Sequence, residues 1–125
     1  MLYAILCYGD ERTVRSLDKE HDEQLMKKLS VVHDALIAEG KLGPHFRLHV
    51  TGTAKTLRAT GDQVLDGPFA ETKEQLLGLY VVECANLDEA LDTAHRLEVE
   101  RKVAHVAGSL EVRPILQYFP GNSPE

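Results

Sequence analysis

The sequence predicts a single α+β domain in which two helices cover one face of an antiparallel sheet. Three observations predict this class: short apolar runs that fit strands, two longer stretches with helical periodicity, and Gly-Pro breaks between them. A chain of 125 residues suits one domain and can bury a core without a metal or disulfide. The expected order is β-α-β-β-α-β with a small inserted hairpin.

The first half of the chain contains a strand, a helix and a second strand. Residues 2–8 form a short apolar run that ends at a glycine, which indicates a buried strand near the middle of the sheet. Residues 22–39 carry apolar side chains at helical spacing and are followed by a glycine, a typical helix stop. After a break at Gly43-Pro44, residues 45–50 fit an extended strand.

The second half begins with a hairpin and ends with a strand, a helix and a strand. Residues 53–59 and 63–66 bracket a Thr-Gly-Asp sequence at 60–62, which is typical of a hairpin turn. Pro114 predicts an edge position or a bulge for the last strand, because proline cannot donate to a strand ladder. The remaining elements are a strand at residues 79–84, a helix that starts after an Asn-x-x-Glu capping signal at Asn86, and a last strand at residues 110–116.

Apolar residues occupy both faces of the strands at residues 2–8 and 79–84. Because two helices can cover only one face of the sheet, the other face needs a partner. We therefore expect a ferredoxin-like domain that forms a homodimer. The domain is expected to span residues 1–118, with residues 119–125 as a flexible C-terminal tail.

Composition and motifs exclude several classes of function. The formal net charge of -6 argues against nucleic-acid binding. The first residues lack the basic start of a secretory signal, and no apolar run approaches the roughly 18–20 residues that span a bilayer. We therefore predict a cytoplasmic protein with no membrane partner. Cys7 and Cys84 lie in apolar runs and fit buried thiols, with a disulfide or reactive thiol as the alternative. The absence of any phosphate-binding or dinucleotide glycine motif predicts no cofactor.

A resemblance to a known family rests on residues 66–74, DGPFAETKE, and on the Leu-Gly-Leu-Tyr sequence at 77–80. These segments resemble the signature of the DGPF group within the YCII-related family. Residues 87–91 and 111–114 are similar to the second helix and the last strand of that family. The resemblance implies a ferredoxin-like, dimeric α+β barrel but no particular reaction. It also implies a possible partner, because some members of the group occur beside or fused to extracytoplasmic-function sigma factors.

Relatives in the wider family resemble isomerases and dehydrochlorinases that place a histidine on the first helix and an aspartate shortly after it. Counting back from Gly40, the matching position is Leu29, one helical turn from His33. No aspartate lies between Gly40 and His49. The acid–base pair of the wider family is therefore absent or rebuilt in this chain.

The signature segment brings acidic and basic side chains together beside an aromatic residue. Asp66 or Glu71 is a candidate catalytic base if burial raises its pKa, while Lys73 and Phe69 are candidate ligand contacts. The structural alternative is that Asp66 bonds backbone amides across the turn and Phe69 fills the core. Glu71 and Lys73 would then form an exposed ion pair.

His33 is the third catalytic candidate, because it lies on the semi-apolar flank of the first predicted helix and imidazole suits proton transfer. A packing role is the alternative. Arg113 and Tyr3 are candidate contacts for a small organic acid, since guanidinium groups bind carboxylates. The alternatives are a Glu111–Arg113 or Glu83–Arg113 pair and a core position for Tyr3.

His45 and His49 do not predict a metal site. On an extended chain their side chains would stand about 13 Å apart, whereas zinc needs ligands at about 2 Å. Two functions therefore stay open: a small-molecule enzyme of isomerase, lyase or dehydrohalogenase type that transfers a proton, and a non-catalytic ligand-binding or regulatory module associated with a sigma factor.

Overall fold

The computed structural model describes residues 1–59, 61, 63–103 and 108–122, which form a mixed α+β domain with an antiparallel sheet and three helices. Four strands form one sheet in the order β2-β5-β1-β6, and two form a separate hairpin, β3-β4. All neighbouring strands are antiparallel. The elements are β1 (Leu2–Gly9), α1 (Glu11–Ser16), α2 (Lys19–Ala38), β2 (Leu42–Arg47), β3 (Lys55–Leu57), β4 (Val64–Asp66), β5 (Gln75–Glu83), α3 (Leu87–Val103) and β6 (Gly108–Pro114).

Strand β1 lies between β5 and β6, in agreement with the prediction of a central position. Its side chains alternate in burial: Tyr3, Ile5 and Cys7 are buried in the core beneath the helices, whereas Ala4 and Leu6 are half-buried on the opposite face. This alternation follows from the period of two in a strand. The sheet therefore has one face covered by α2 and α3 and one face that these helices leave open.

Helix α2 begins at Lys19, before residue 22 where the apolar pattern predicts it. The reason is a cap: the Asp18 carboxylate accepts a hydrogen bond from the His21 N–H at 2.8 Å. Leu25, Leu29 and Leu36 are its buried residues. Caps rather than apolar spacing thus decide where this helix starts.

Helix α1 is missing from the sequence prediction because its six residues show no apolar period. It forms because the Asp10 side chain caps it, accepting a hydrogen bond from the Arg12 N–H at 2.9 Å. The cap that opens α3 was predicted correctly, since Asn86 Oδ1 accepts from the Glu89 N–H at 2.9 Å. The Glu89 carboxylate accepts in turn from the Ala85 N–H, one residue earlier than in a standard capping box.

The prediction for β2 was wrong in its boundaries. The strand spans Leu42–Arg47 rather than residues 45–50, and Gly43-Pro44 lies inside it instead of breaking the chain. Proline is tolerated here because β2 is an edge strand and its pairing with β5 is irregular between Leu42 and His45. The edge position that Pro114 predicts for β6 is confirmed.

The inserted hairpin is present but shorter than predicted. Thr60 and Asp62 of its predicted turn lie outside the described residues, as do residues 104–107 and 123–125. Cys7 and Cys84 are both buried free thiols, as the sequence predicts. Within the described ranges, no helix has the length and apolar character that a membrane span requires.

Candidate functional site

A cavity of about 400 Å³ opens between the sheet and helices α1 and α2. This volume falls within the range of small-molecule sites, roughly 300–1,000 Å³. Most of the wall is apolar because α1, α2 and the segment after β2 turn aliphatic side chains toward the sheet. Among these side chains are Val14, Leu17, Leu25, Met26, Leu29 and Leu48.

The charged residues of the cavity differ in depth. Arg101 is only 7% exposed, whereas Arg15, Lys19 and Arg47 are exposed. All four line the same cavity. The cavity therefore has one buried cation, Arg101, and three exposed cations: Arg47 and the two mouth cations, Arg15 and Lys19.

Arg101 is held by α3 and by the end of β1. Its Nη2 donates to the carbonyl oxygen of Tyr8 at 3.4 Å, and its Nη1 lies 3.6 Å from Glu98 Oε2. Among the described residues Nη1 has no hydrogen-bond partner, although it is fully buried. A buried donor without an acceptor costs about 1–3 kcal/mol, and more when it is charged. Glu98 Oε2 is likewise fully buried and has no hydrogen-bond partner among the described residues, so the two opposite charges partly compensate each other.

Glu11 fixes one wall of the cavity. Its side chain accepts two hydrogen bonds from Thr51, from the backbone N–H at 2.7 Å and from the hydroxyl at 2.8 Å. The residue is only 8% exposed, and its own N–H donates to Gln75 Oε1 at 3.0 Å. Glu11 therefore joins α1 to the segment after β2 and to the start of β5.

A second contact crosses the mouth of the cavity. Arg47 Nη2 lies 3.1 Å from Asp22 Oδ1, which links β2 to α2. Both side chains are partly exposed, so the pair adds little stability. Its effect is to engage Asp22, one of the two carboxylates in the wall.

Tyr80 connects the cavity to two histidines. Its side chain lies on the helix-covered face of β5 and forms part of the cavity wall. Its hydroxyl lies 2.8 Å from His33 Nε2. The ring of His45 stacks on Tyr80 at 5.6 Å between centroids and lies 4.9 Å from the ring of His33.

The pKa shifts of His33 and Tyr80 both favour the uncharged form of the side chain. Burial lowers the pKa of His33 from 6.5, the charge of His45 lowers it further, and Asp34 opposes the shift. Burial raises the pKa of Tyr80 to about 12. A neutral phenol is thus hydrogen-bonded to a neutral imidazole near pH 7. Burial also raises the pKa of Cys7, in the same wall, to about 11, so its thiol is protonated and unreactive.

We expect the stability of the protein to fall as the pH drops below 6.5, the ordinary pKa of His33. Because the folded-state pKa is depressed, the unfolded chain binds this proton more readily, so acid favours unfolding. The favourable contribution is fully present above pH 6.5 and is lost as the pH falls toward the depressed value. Urea denaturation between pH 5 and pH 8 measures this dependence.

His33→Gln is expected to flatten this pH dependence, whereas His95→Gln, at an exposed position on α3, should leave it in place. An unchanged pH dependence in His33→Gln would contradict the assignment.

A family model of the YCII-related domain matches residues 1–118. The chain belongs to the YCII-related domain family. It is also 51% identical over 126 residues to an uncharacterised protein of Rhizobium meliloti (strain 1021), with 99% of each chain covered. Neither comparison assigns a reaction, so the chemistry of this YCII-related protein has to be inferred from the cavity.

The predicted site residues of this YCII-related protein do not come together. His33 contacts the cavity wall through Tyr80. Asp66, Glu71 and Lys73 are exposed and do not line the cavity. Asp66 forms an ion pair with Lys55 across the hairpin. The catalytic roles of Asp66 and Glu71 stay predictions, and the cavity does not support them.

Phe69 is 77% exposed, so the alternative in which it fills the core is wrong. The Arg58 guanidinium lies 5.7 Å from its ring centroid.

Tyr3 is 3% exposed in the core, where its hydroxyl donates to Met1 Sδ, and it does not line the cavity. Arg113 pairs with Glu111, as the structural alternative predicts. Arg113 lies beside Ala4, on the sheet face opposite the cavity.

Arg101 and Glu11 are among the site residues that the sequence prediction missed, although a signal existed for Arg101. Arg101 continues the buried stripe of α3 formed by Ala90, Ala94 and Leu97 at spacings of four, three and four. An arginine on an apolar helical face is unusual unless it is paired or functional. Glu11 has no comparable signal, because its partner Thr51 is distant in sequence.

His45 stacks on Tyr80, while His49 lines the cavity. Among the residues that the structure describes, no three metal-ligating side chains come together.

Proposed function

We propose that this YCII-related protein is a small-molecule enzyme that binds an apolar organic acid in the cavity and transfers a proton on it. In this proposal Arg101 holds the carboxylate of the acid, and Tyr80 with His33 forms the acid–base pair. The observation that carries the proposal is that Arg101, a cation that is only 7% exposed, lines this largely apolar cavity.

The character of the wall defines the ligand. Aliphatic side chains from α1 and α2 favour an apolar body, because burying it releases water from apolar surface. A single buried guanidinium favours a carboxylate, which it can bind with two parallel hydrogen bonds. A ligand without a hydrogen-bond acceptor would form no such bond with Arg101.

The chemistry that suits the wall is proton transfer. A C–H bond of the acid breaks, and its proton passes to the Tyr80 oxygen while the Tyr80 proton passes to His33 Nε2. For an acid with a double bond beside that carbon, the products are a delocalised dienolate and an imidazolium, and return of the proton to the far carbon gives the double-bond isomer. The neutral forms of Tyr80 and His33 at pH 7 are the starting state that this step requires.

Binding is tested by calorimetry with phenylacetate and with its neutral analogue phenylacetamide. We expect phenylacetate to bind at least about tenfold more tightly, a difference of about 1.4 kcal/mol. Arg101→Gln should remove this preference. Arg96→Gln is the matched control, because Arg96 lies on the same helix but pairs with Glu39 at the surface. Equal binding of the two compounds to the wild-type protein would overturn the proposal.

The acid–base assignment is tested by NMR titration of His33 with and without phenylacetate. A carboxylate bound beside Tyr80 favours the imidazolium, so the ligand should raise the pKa of His33, and less so in Tyr80→Phe. If the pKa of His33 is the same with and without phenylacetate, the protein binds the acid but Tyr80 and His33 are not its acid–base pair.

A non-catalytic regulatory role is the second candidate, and the exposure of Phe69 favours it. A large aromatic side chain that is 77% exposed suits contact with another protein. The resemblance to the DGPF group points to an extracytoplasmic-function sigma factor as that partner. If the protein and the sigma factor form a complex when co-expressed, and Phe69→Ser dissociates it, this role is supported. A complex that persists in Phe69→Ser would contradict the role.

We further propose that the protein is a ferredoxin-like, homodimeric member of the DGPF group and acts in the cytoplasm. The open sheet face supports dimerisation, because Phe46, Leu79 and Leu6 lie side by side across it and Phe46 is 50% exposed. The two free thiols fit a reducing compartment. Sedimentation equilibrium should give a dimer that Leu79→Glu dissociates, and a wild-type monomer would contradict the assembly.

A further inference from the structure

We infer that the ligand carries two anionic groups joined by an apolar body, the first bound by Arg101 and the second by Arg15 and Lys19 at the mouth of the cavity. The inference rests on the proposed function, because Arg101 must hold the first group. It adds a substrate class: dicarboxylic acids with an apolar linker.

The first argument for a second anionic group is the excess of positive over negative side chains in the cavity wall. Two carboxylates, Glu11 and Asp22, face four Lys and Arg side chains, the mouth cations and Arg47 among them. Glu11 is engaged by Thr51 and Asp22 is engaged by Arg47. Neither wall carboxylate therefore forms an ion pair with Arg15 or Lys19.

The mouth cations have no ion pair among the described residues. Every salt bridge of the described chain involves other cations. Arg15 and Lys19 lie on the last residues of α1 and the first residues of α2, where the chain turns over the cavity. Two such cations at the rim of a low-dielectric cavity concentrate anions there.

The second argument for two anionic groups is that the cations of the cavity wall differ in burial. Arg101 is buried, whereas Arg15 and Lys19 are exposed, so the buried cation and the mouth cations differ in their exposure to solvent. The wall shared with them contains the aliphatic side chains of Leu17 and Leu25. A monocarboxylate can use only the buried cation or the mouth cations, while a dicarboxylate with an apolar linker matches both and the aliphatic wall together.

The test uses calorimetry on the full-length protein with the series from butanedioate to decanedioate and with the monoamide of each acid. The monoamide keeps the length of the molecule but carries one charge. We expect at least one diacid to bind about tenfold or more tightly than its monoamide. In the double variant Arg15→Gln/Lys19→Gln this preference should fall below about threefold, with monoamide binding retained.

The matched control is Lys27→Gln/Lys28→Gln, which makes the same change in net charge at exposed positions of α2 outside the cavity. It should keep the preference for the diacid. A preference lost equally in both double variants would reflect net charge and would overturn the assignment of the mouth.

The two possible failures are distinguishable. If each diacid and its monoamide bind equally, and Arg101→Gln weakens both, the second anion is refuted while the proposed function stands. If no acid binds, or Arg101→Gln has no effect on any of them, the proposed function itself fails. If the preference survives in Arg15→Gln/Lys19→Gln, a different group holds the second anion and the inference is wrong.

Discussion

Gly78→Ala is expected to lower the free energy of unfolding by about 2–4 kcal/mol, a large effect for a single methyl group. A Cβ atom at Gly78 would overlap the carbonyl oxygen of Phe46 on β2. The obstacle is backbone and not a flexible side chain, so β2 would have to move away from β5. That movement breaks ladder hydrogen bonds at the edge of the sheet, and it also displaces a wall of the cavity.

Gly52→Ala is the matched control for this substitution. A Cβ atom at Gly52 meets no atom within 4 Å, so we expect a change within about 1 kcal/mol. Urea denaturation of both variants measures the difference. Equal stability of the two variants would show that β2 and β5 do not approach as closely as described. If Gly78→Ala does not fold, refolding yield against Gly52→Ala gives the same comparison.

Glu11→Ala is expected to cost about 2–3 kcal/mol of stability, because it removes an ionised acceptor from two hydrogen bonds of Thr51 in a buried site. The substitution leaves the Glu11 N–H bond to Gln75 in place, since that bond uses the backbone. The loss should therefore loosen the contact between α1 and the Thr51–Thr53 turn without removing α1 itself. Ligand affinity should fall with stability, because Glu11 is part of the cavity wall.

Glu20→Ala provides the control, since Glu20 occupies the first turn of α2 as Glu11 occupies the first turn of α1, but it is exposed. We expect a change within about 0.5 kcal/mol there. Glu11→Gln should fall between the two, because one amide oxygen can still accept from the Thr51 N–H. Denaturation and phenylacetate calorimetry on the three variants decide the matter, and an effect of Glu11→Ala no larger than that of Glu20→Ala would refute the role of Glu11.

Local signals in the sequence were sufficient for most of the elements. The apolar run of β1 predicts a central strand, the stripe of α2 predicts a long helix, and the Asn86 cap predicts the start of α3. Each of these signals involves residues within a few positions of one another. The prediction failed at α1, whose only signal is the Asp10 cap, and at Pro44, which an edge strand tolerates.

The candidate site behaved differently, because its contacts join residues far apart in the chain. The sequence drew attention to the signature segment at 66–74, where charged residues are adjacent, but Asp66 pairs with Lys55 outside the cavity. His33 was found on its own, whereas its contacts with Tyr80 and His45 depend on α2 packing against β5 and β2. Pairing across strands, rather than sequence spacing, builds that cluster.

By itself the sequence determined the α+β class, several of the main elements and the membership of the YCII-related family, because periodicity, caps and motifs are local or aligned along the chain. Only the tertiary structure decided which charged side chains face a common cavity. Arg101 and Glu11 are ordinary charged residues in the sequence, and they become functional candidates because folding buries them beside apolar walls. Burial removes the water that would otherwise satisfy their charges, so Glu11 depends on Thr51 for hydrogen bonds, and Arg101 depends on the carbonyl oxygen of Tyr8.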